Sequence, residues 1–343
     1  INIILYQNLK QQIFFLFSIY CTGLLFSIII IKNMGVLYIS LMSPFIGIVL
    51  YSFSVMILFI LGYSLSLTKL YIIIGTVWLI TFIIIQSGKR NKLNLVSNIV
   101  KNKLFLFQLC VCSICYLILA VLFRNLSIVD ATPDSTQFES MGRFLAQGGT
   151  LKSDIPLKAF LINGRMVVVP AIIAIARLFD CYTPYAFYPL ISLCFLILTS
   201  IILWDLMEKQ KIKNRLTFTI SFFLILGFYK NFYNFSFDIG SNITAMIFFT
   251  LSVLFLLIYL KYDESKWLYF AAISLSISTI TRTDILAFSS IFIFQLYRVC
   301  NNNNFLFLKC SMIFILLAFP WRIATFSFIP FNNFWYMSGI QVL

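Results

Sequence analysis

The chain has 343 residues, of which 61% are hydrophobic and only 10% charged. A water-soluble chain of this length needs more charge to cover its surface, so soluble-enzyme and soluble nucleic-acid-binding functions are excluded. The net charge of +14, from 25 basic and 11 acidic residues, then reports basic loops on one face of a membrane and contacts to anionic lipid or phosphate.

Apolar stretches of about 20 residues match the ~30 Å hydrocarbon core at 1.5 Å per residue. Taken in order, spans are expected at 13–31, 36–62, 70–86 and 104–123, then at 185–204, 216–229, 242–260, 267–280, 285–297 and 305–319. The first has no small-residue cleavage site and runs at once into a second, so it reads as an anchor, not a cleaved leader. The start at Ile1 and the stop inside 334–343 read as a piece of a longer protein. Lys89, Arg90, Lys92, Lys101 and Lys103 form one basic loop, and Lys209, Lys211, Lys213 and Arg215 another; both are placed in the cytoplasm. Residues 166–179 are too short to span and read as an interfacial or re-entrant helix. The expected fold is all-α: a polytopic bundle of about ten spans, with an extracytoplasmic loop carrying amphipathic surface helices.

The chain contains no histidine, which removes His bases, His metal ligands and His proton relays together. Six of its eight cysteines lie in apolar runs and behave as small hydrophobes, so no disulfide or cysteine-metal site is expected.

Four of the eleven acids, Asp130, Asp134, Glu139 and Asp154, fall in the polar segment 124–165. Pro133 and Asp134 stand where a helix would begin, an acid there being favoured by the dipole. Phe138, Met141, Phe144 and Leu145 then share one face, and Gly148-Gly149 closes the helix. On spacing alone Asp134 reads as a helix cap. Further on, Arg282 and Asp284 sit in a turn between two spans, and Asp238 follows the aromatic run Phe232, Tyr233, Phe235 and Phe237.

A span followed by an outer Pro-Asp-Ser, an aromatic four residues after the Asp, and a glycine-closed helix resembles the first outer loop of the GT-C glycosyltransferases. Three later stretches are similar to that family in the same order: Asp238 before a long apolar helix, the Thr281-Arg282-Thr283-Asp284 turn between helices, and Pro320-Trp321-Arg322 at a helix end. Together they cover about 104–325. The chain departs from the family pattern where Ser135 follows Asp134, where Thr283-Asp284 replaces Pro-Glu, and in its three N-terminal spans. Residues 1–103 accordingly read as N-terminal helices with a basic cytoplasmic loop, and 104–343 as the GT-C-like catalytic module with outer loop 124–165.

The resemblance implies an inverting transferase that moves a sugar from a polyprenyl-phosphate donor to an acceptor at the extracytoplasmic surface. That surface belongs to the inner or plasma membrane in a bacterium and to the endoplasmic reticulum in a eukaryote. Such chemistry needs a base for the acceptor hydroxyl and fixed cations for the leaving phosphate. Asp134 is the expected base, with Asp130 next. Arg282 leads for the donor phosphate, a guanidinium pairing bidentately with phosphate, ahead of Arg143, Arg165 and Arg322. Asp238, Asp284 and Tyr233 are candidates for the acceptor or sugar. Bland alternatives stand beside these roles: Arg282 as a membrane anchor, Arg143 as the partner of Glu139, Arg322 as an interface residue and Asp238 as a cap. No metal site is assigned, and the cofactor stays unknown, a divalent cation being left open. Expected partners are the lipid-linked sugar donor, membrane lipids, an acceptor glycan, lipid or protein, and further subunits, but no nucleic acid. The alternative functions are a transporter or flippase, a polymerase for lipid-linked saccharides, or a non-catalytic membrane subunit.

Overall fold

A computed structural model describes residues 2–30, 36–86, 102–123, 133–150, 168–181, 187–229, 241–282, 285–300 and 303–326. All regular structure among them is helical: α1 (Asn2–Ile30), α2 (Val36–Ile60), α3 (Leu67–Gln86), α4 (Lys103–Phe123), α5 (Pro133–Ala146), α6 (Val168–Leu178), α7 (Phe187–Lys209), α8 (Arg215–Phe228), α9 (Ser241–Tyr262), α10 (Ser265–Thr281), α11 (Ile285–Val299) and α12 (Asn304–Phe326).

Among the described residues, six helices are long and apolar enough to cross a membrane: Lys10–Ile30, Val36–Ile60, Lys103–Ala120, Phe187–Lys209, Ser241–Tyr262 and Asn304–Trp321. The protein is a multi-pass helical membrane protein. The other four expected spans fall on α3, α8, α10 and α11, which do not meet that measure; α8, with 14 residues, is only ~21 Å long. Phe17, Ile72, Phe107, Ile291 and Phe305 are each more than half exposed. Apolar surface on that scale suits lipid, not water.

The chain divides into two compact units. One comprises Ile1–Ser54, Ser66–Thr132 and Ile175–Ile239; the other comprises Val55–Leu65, Pro133–Ala174 and Gly240–Leu343.

In the first unit α1 and α2 cross antiparallel through small residues. A Cβ at Gly23 would overlap the Ser43 carbonyl, and one at Gly47 would overlap that of Ile19. Only backbones that lack side chains approach so closely, the usual small-residue route to helix association in lipid. The Ser18 hydroxyl lies 2.5 Å from that of Tyr51 on α2 and 3.1 Å from that of Tyr71 on α3, and Thr22 donates to Tyr51 at 3.3 Å. A second cluster joins α4, α7 and α8. Phe105 stacks on Trp204 with centroids 4.3 Å apart, and Arg215 lies over the other end of this contact, 4.8 Å from the Trp204 ring and 3.2 Å from Glu208. The start of α4 therefore shares an end of the unit with the α7–α8 turn. Lys211 closes α7 in the left-handed region (φ 56°).

In the second unit α10 is the central helix, with 13 of its 17 residues buried, so it must be covered from several sides. It runs antiparallel to α9: Trp267 meets Phe255 at 5.7 Å near one end, and the Ser278 hydroxyl donates to the Ala245 carbonyl at 2.8 Å near the other. On another side, the Ser276 hydroxyl reaches the Phe314 carbonyl of α12 at 3.5 Å. Only a few residues separate α10, α11 and α12 in sequence, and α11 meets α12 through Tyr297 and Phe307, ring centroids 5.3 Å apart. Phe59 at the tip of α2 packs on Trp321 of α12, centroids 5.7 Å apart, and Gly148 after α5 lies against Ser64 just beyond that tip. The ends of α2, α5, α10 and α12 and the start of α9 thus gather at one end of this unit.

Two expectations change in detail. The apolar face of α5 was expected to rest on the membrane surface. Instead Phe138, Met141 and Leu145 are 0–2% exposed within the protein itself, and Gly142 fits against Pro170 and Ile173 of α6. For 166–179 an interfacial helix would leave one face open. Residues 168, 169 and 171–176 are instead all at most 1% exposed, so α6 is covered by protein on every side.

Candidate functional site

The α9–α10 hairpin sets the geometry. Its turn is Asp263-Glu264, and the two helices run antiparallel away from it. Asn242 in the first turn of α9 and Arg282 at the end of α10 meet across this pair, and the Arg282 guanidinium donates to Asn242 Oδ1. With α9 22 residues long, this contact lies ~30 Å from the turn, the thickness of the hydrocarbon core.

Arg282 is the C-cap residue of α10. Its backbone is extended (φ −144°, ψ 133°), and its N–H still bonds to the Ser278 carbonyl at 3.0 Å. The helix therefore stops at Arg282 and turns its side chain, half-buried, toward α9. A hydrogen bond to a charged group is worth about 1.5–3 kcal/mol, enough to fix the guanidinium plane. The surroundings are rich in hydroxyls: Thr281 is buried and bonds to the Ile277 carbonyl at 2.6 Å, while Ser241 and Thr244 are buried on α9. The N-terminus of α9 adds the partial positive charge of a long helix. Chemically, a fixed guanidinium beside such an end suits an anion, above all a phosphate.

Asp134 is the second residue of α5, after Pro133, so the expected helix start is found. At the other end Gly148 adopts φ 88°, and the Gly149 N–H reaches back to the Phe144 carbonyl at 2.9 Å. This is the glycine closure expected from the sequence. Arg143 lies 3.8 Å from Glu139, one turn earlier, with the two side chains 58% and 36% exposed. An exposed pair of this kind contributes only about 0.3–0.5 kcal/mol. Arg322 falls in the last turns of α12, directly after the buried Trp321. Asp134, Arg143, Arg282 and Arg322 all belong to the second unit. Asp130, Arg165, Tyr233, Asp238 and Asp284 lie outside the described residues.

Asn242 is a residue that inspection of motifs missed. Spacing about the Asp263-Glu264 turn sets Ala245, not Asn242, opposite Arg282, so the pairing comes from how α9 and α10 pack. Among the described residues, no three His, Cys, Asp or Glu side chains come together as a metal site. Compared with protein-family models, with curated proteins and with solved structures, the chain matches none.

Proposed function

We propose that this protein is an inverting glycosyltransferase of the GT-C kind, using a polyprenyl-phosphate sugar at the extracytoplasmic surface. Arg282 carries the reading: a half-buried guanidinium, oriented by Asn242 at the far end of the α9–α10 hairpin, whose α9 is long enough to cross the bilayer, in the same compact unit as the helix whose first turn holds Asp134. The acceptor hydroxyl attacks the anomeric carbon and the bond to the donor phosphate breaks with inversion. Asp134 takes the hydroxyl proton, and Arg282 takes up the charge on the departing lipid phosphate. Arg143, already beside Glu139, ranks below Arg282. In this reading ten segments cross the membrane, residues 124–165 face outward, and 89–103 and 209–215 face the cytoplasm.

The test is transfer from a panel of radiolabelled polyprenyl-phosphate sugars by the purified protein. Transfer to lipid, glycan or protein acceptors is the expected result. Absence of both turnover and binding across the panel overturns the proposal.

A further inference from the structure

Two spans of the first unit end near one level. The α4 span begins at Lys103 and the α7 span ends at Lys209, and Phe105 stacks on Trp204 with centroids 4.3 Å apart. The α7–α8 turn that follows Lys209 therefore lies just beyond the hydrocarbon boundary, where lipid headgroups begin. From Asp205 to Arg215 the chain carries four cations, Lys209, Lys211, Lys213 and Arg215, against two acids, Asp205 and Glu208. Arg215 takes the Glu208 carboxylate at 3.2 Å and covers the Trp204 ring. Lys211 and Lys213 are exposed, and neither has an ion-pair partner among the described residues. The α9–α10 turn of the second unit is built differently. There Lys261 and Lys266 are matched by Asp263 and Glu264, with Lys266 2.7 Å from Glu264. An excess of cations is thus a property of one turn, not of every turn in the chain.

The backbone of the α7–α8 turn adds a second observation. The Lys211 N–H bonds to the Glu208 carbonyl at 3.0 Å and the Ile212 N–H to that of Met207 at 3.1 Å, with Lys211 itself left-handed (φ 56°). Glycine is the usual residue at this position of a helix closure, because a side chain there crowds the following carbonyl. The other described non-glycine residues with positive φ are Asp180 and Asp263, a type whose short polar side chain tolerates the region. Lysine has no such excuse, so its ammonium is kept at a cost to local stability. Between the two lysines, Ile212 is 41% exposed. A soluble acidic partner would use the cations and leave Ile212 in water. A membrane surface matches all three residues, with anionic headgroups on the lysines and the edge of the hydrocarbon under Ile212.

We propose that the α7–α8 turn docks on the anionic headgroup layer of the bilayer, with Lys211 and Lys213 on lipid phosphates and Ile212 at the hydrocarbon edge. The inference rests on the membrane nature of the protein and is independent of the transferase reading.

The full chain is reconstituted in bilayers with trace phosphatidylglycerol or phosphatidylcholine of equal chain length, each carrying a photoreactive group near the head. Adducts are then counted on residues 209–215. A basic residue near an anionic surface contributes about fivefold in affinity, so the turn should favour phosphatidylglycerol by up to about 25-fold. Lys211→Gln with Lys213→Gln should bring the two lipids to parity, and Lys211→Arg with Lys213→Arg should retain the preference. Lys211→Gly is the sharpest variant. It should lose about fivefold in preference while the melting temperature rises, a pairing that a merely structural residue would not give. Glu264→Gln with Lys266→Gln, which removes a balanced pair, should change nothing. Raising the salt from ~0.01 to ~1 M shortens the screening length from about 30 to about 3 Å and should abolish the preference. The proposal fails if the wild-type turn labels equally with both lipids, or if the Gln pair or high salt leaves the preference intact. It fails equally if the Arg pair or the Glu264/Lys266 pair abolishes the preference, or if Lys211→Gly melts lower or keeps full preference. Equal labelling by both lipids, with the turn protected by soluble polyglutamate, would assign the surface to an acidic protein instead.

Discussion

The α1–α2 crossing in the first unit and the α9–α10 hairpin in the second are both antiparallel, both packed through small residues, and yet built for different ends. In α1–α2 the glycines let backbone meet backbone, and the polar groups along the contact are hydroxyls that bond to one another: Ser18, Thr22, Tyr51 and Tyr71. In α9–α10 the Ser278 hydroxyl bonds to the Ala245 carbonyl, and the pair ends in a guanidinium held by an amide. Neutral groups that satisfy each other suit a structural joint. A charge fixed at a helix end can meet an anion, and the proposed function therefore places its chemistry at the second hairpin.

The largest expected effect separates chemistry from structure within the second unit. Asp134→Asn keeps the shape of this first-turn residue and gives up only its interaction with the helix dipole, about 0.3–1 kcal/mol, so the melting temperature should hardly move. Turnover should fall by about 10²–10⁴ if the carboxylate is the base, and a wild-type rate in a transferase assay would hand the role to Asp130. Next in size, Arg282→Ala should weaken donor binding about tenfold to a hundredfold. Arg322→Ala should cost less, and Arg282→Lys should fall between the two because it keeps charge but loses the fork. Equal donor affinity for Arg282→Ala and the wild type would make Arg282 an anchor, and the two hairpins alike.

The structural joint has its own signature. Gly23→Leu inserts a side chain where a Cβ already overlaps a carbonyl, and overpacking of this kind costs about 1–3 kcal/mol. Thermal unfolding in detergent should show the loss, while donor affinity in the folded fraction stays normal. A loss of donor affinity without a loss of stability would break the division of labour drawn above. The smallest effect belongs to Arg143→Gln, which removes an exposed pair worth about 0.3–0.5 kcal/mol. A change in activity of more than a few-fold there would promote Arg143 to the donor site.

What the amino-acid order revealed, and what it concealed, follows from the range of each interaction. The start of α5 at Pro133, its closure at Gly148-Gly149 and the end of α10 before Arg282 are local events, settled by dihedral preferences and capping. They lie where they were expected. The covering of α5 by α6 is not local: an apolar stripe of Phe138, Met141 and Leu145 reads the same whether lipid or protein lies over it. Spans of 14–17 residues such as α8 and α10 posed a similar difficulty, since hydropathy measures composition while crossing depends on length and neighbours. The contact of Ser18 with Tyr51 and Tyr71 joins three helices, and nothing in their local patterns marks those hydroxyls as partners. Asn242 belongs with these: hairpin symmetry about Asp263-Glu264 would set Ala245 opposite Arg282, and the actual pairing depends on how α9 and α10 pack.

The packing of Phe59 on Trp321 links positions about 260 residues apart in the chain. At roughly 5–20 residues per second during synthesis, the tip of α2 emerges some 13–50 s before its partner exists. Through that interval the ring of Phe59 must be sheltered by lipid or by the insertion machinery, while the α1–α2 joint, complete within the first 50 or so residues, can already close. Maturation of this membrane protein is therefore ordered in time, with the structural pair assembled first and the end that holds Arg282 completed last.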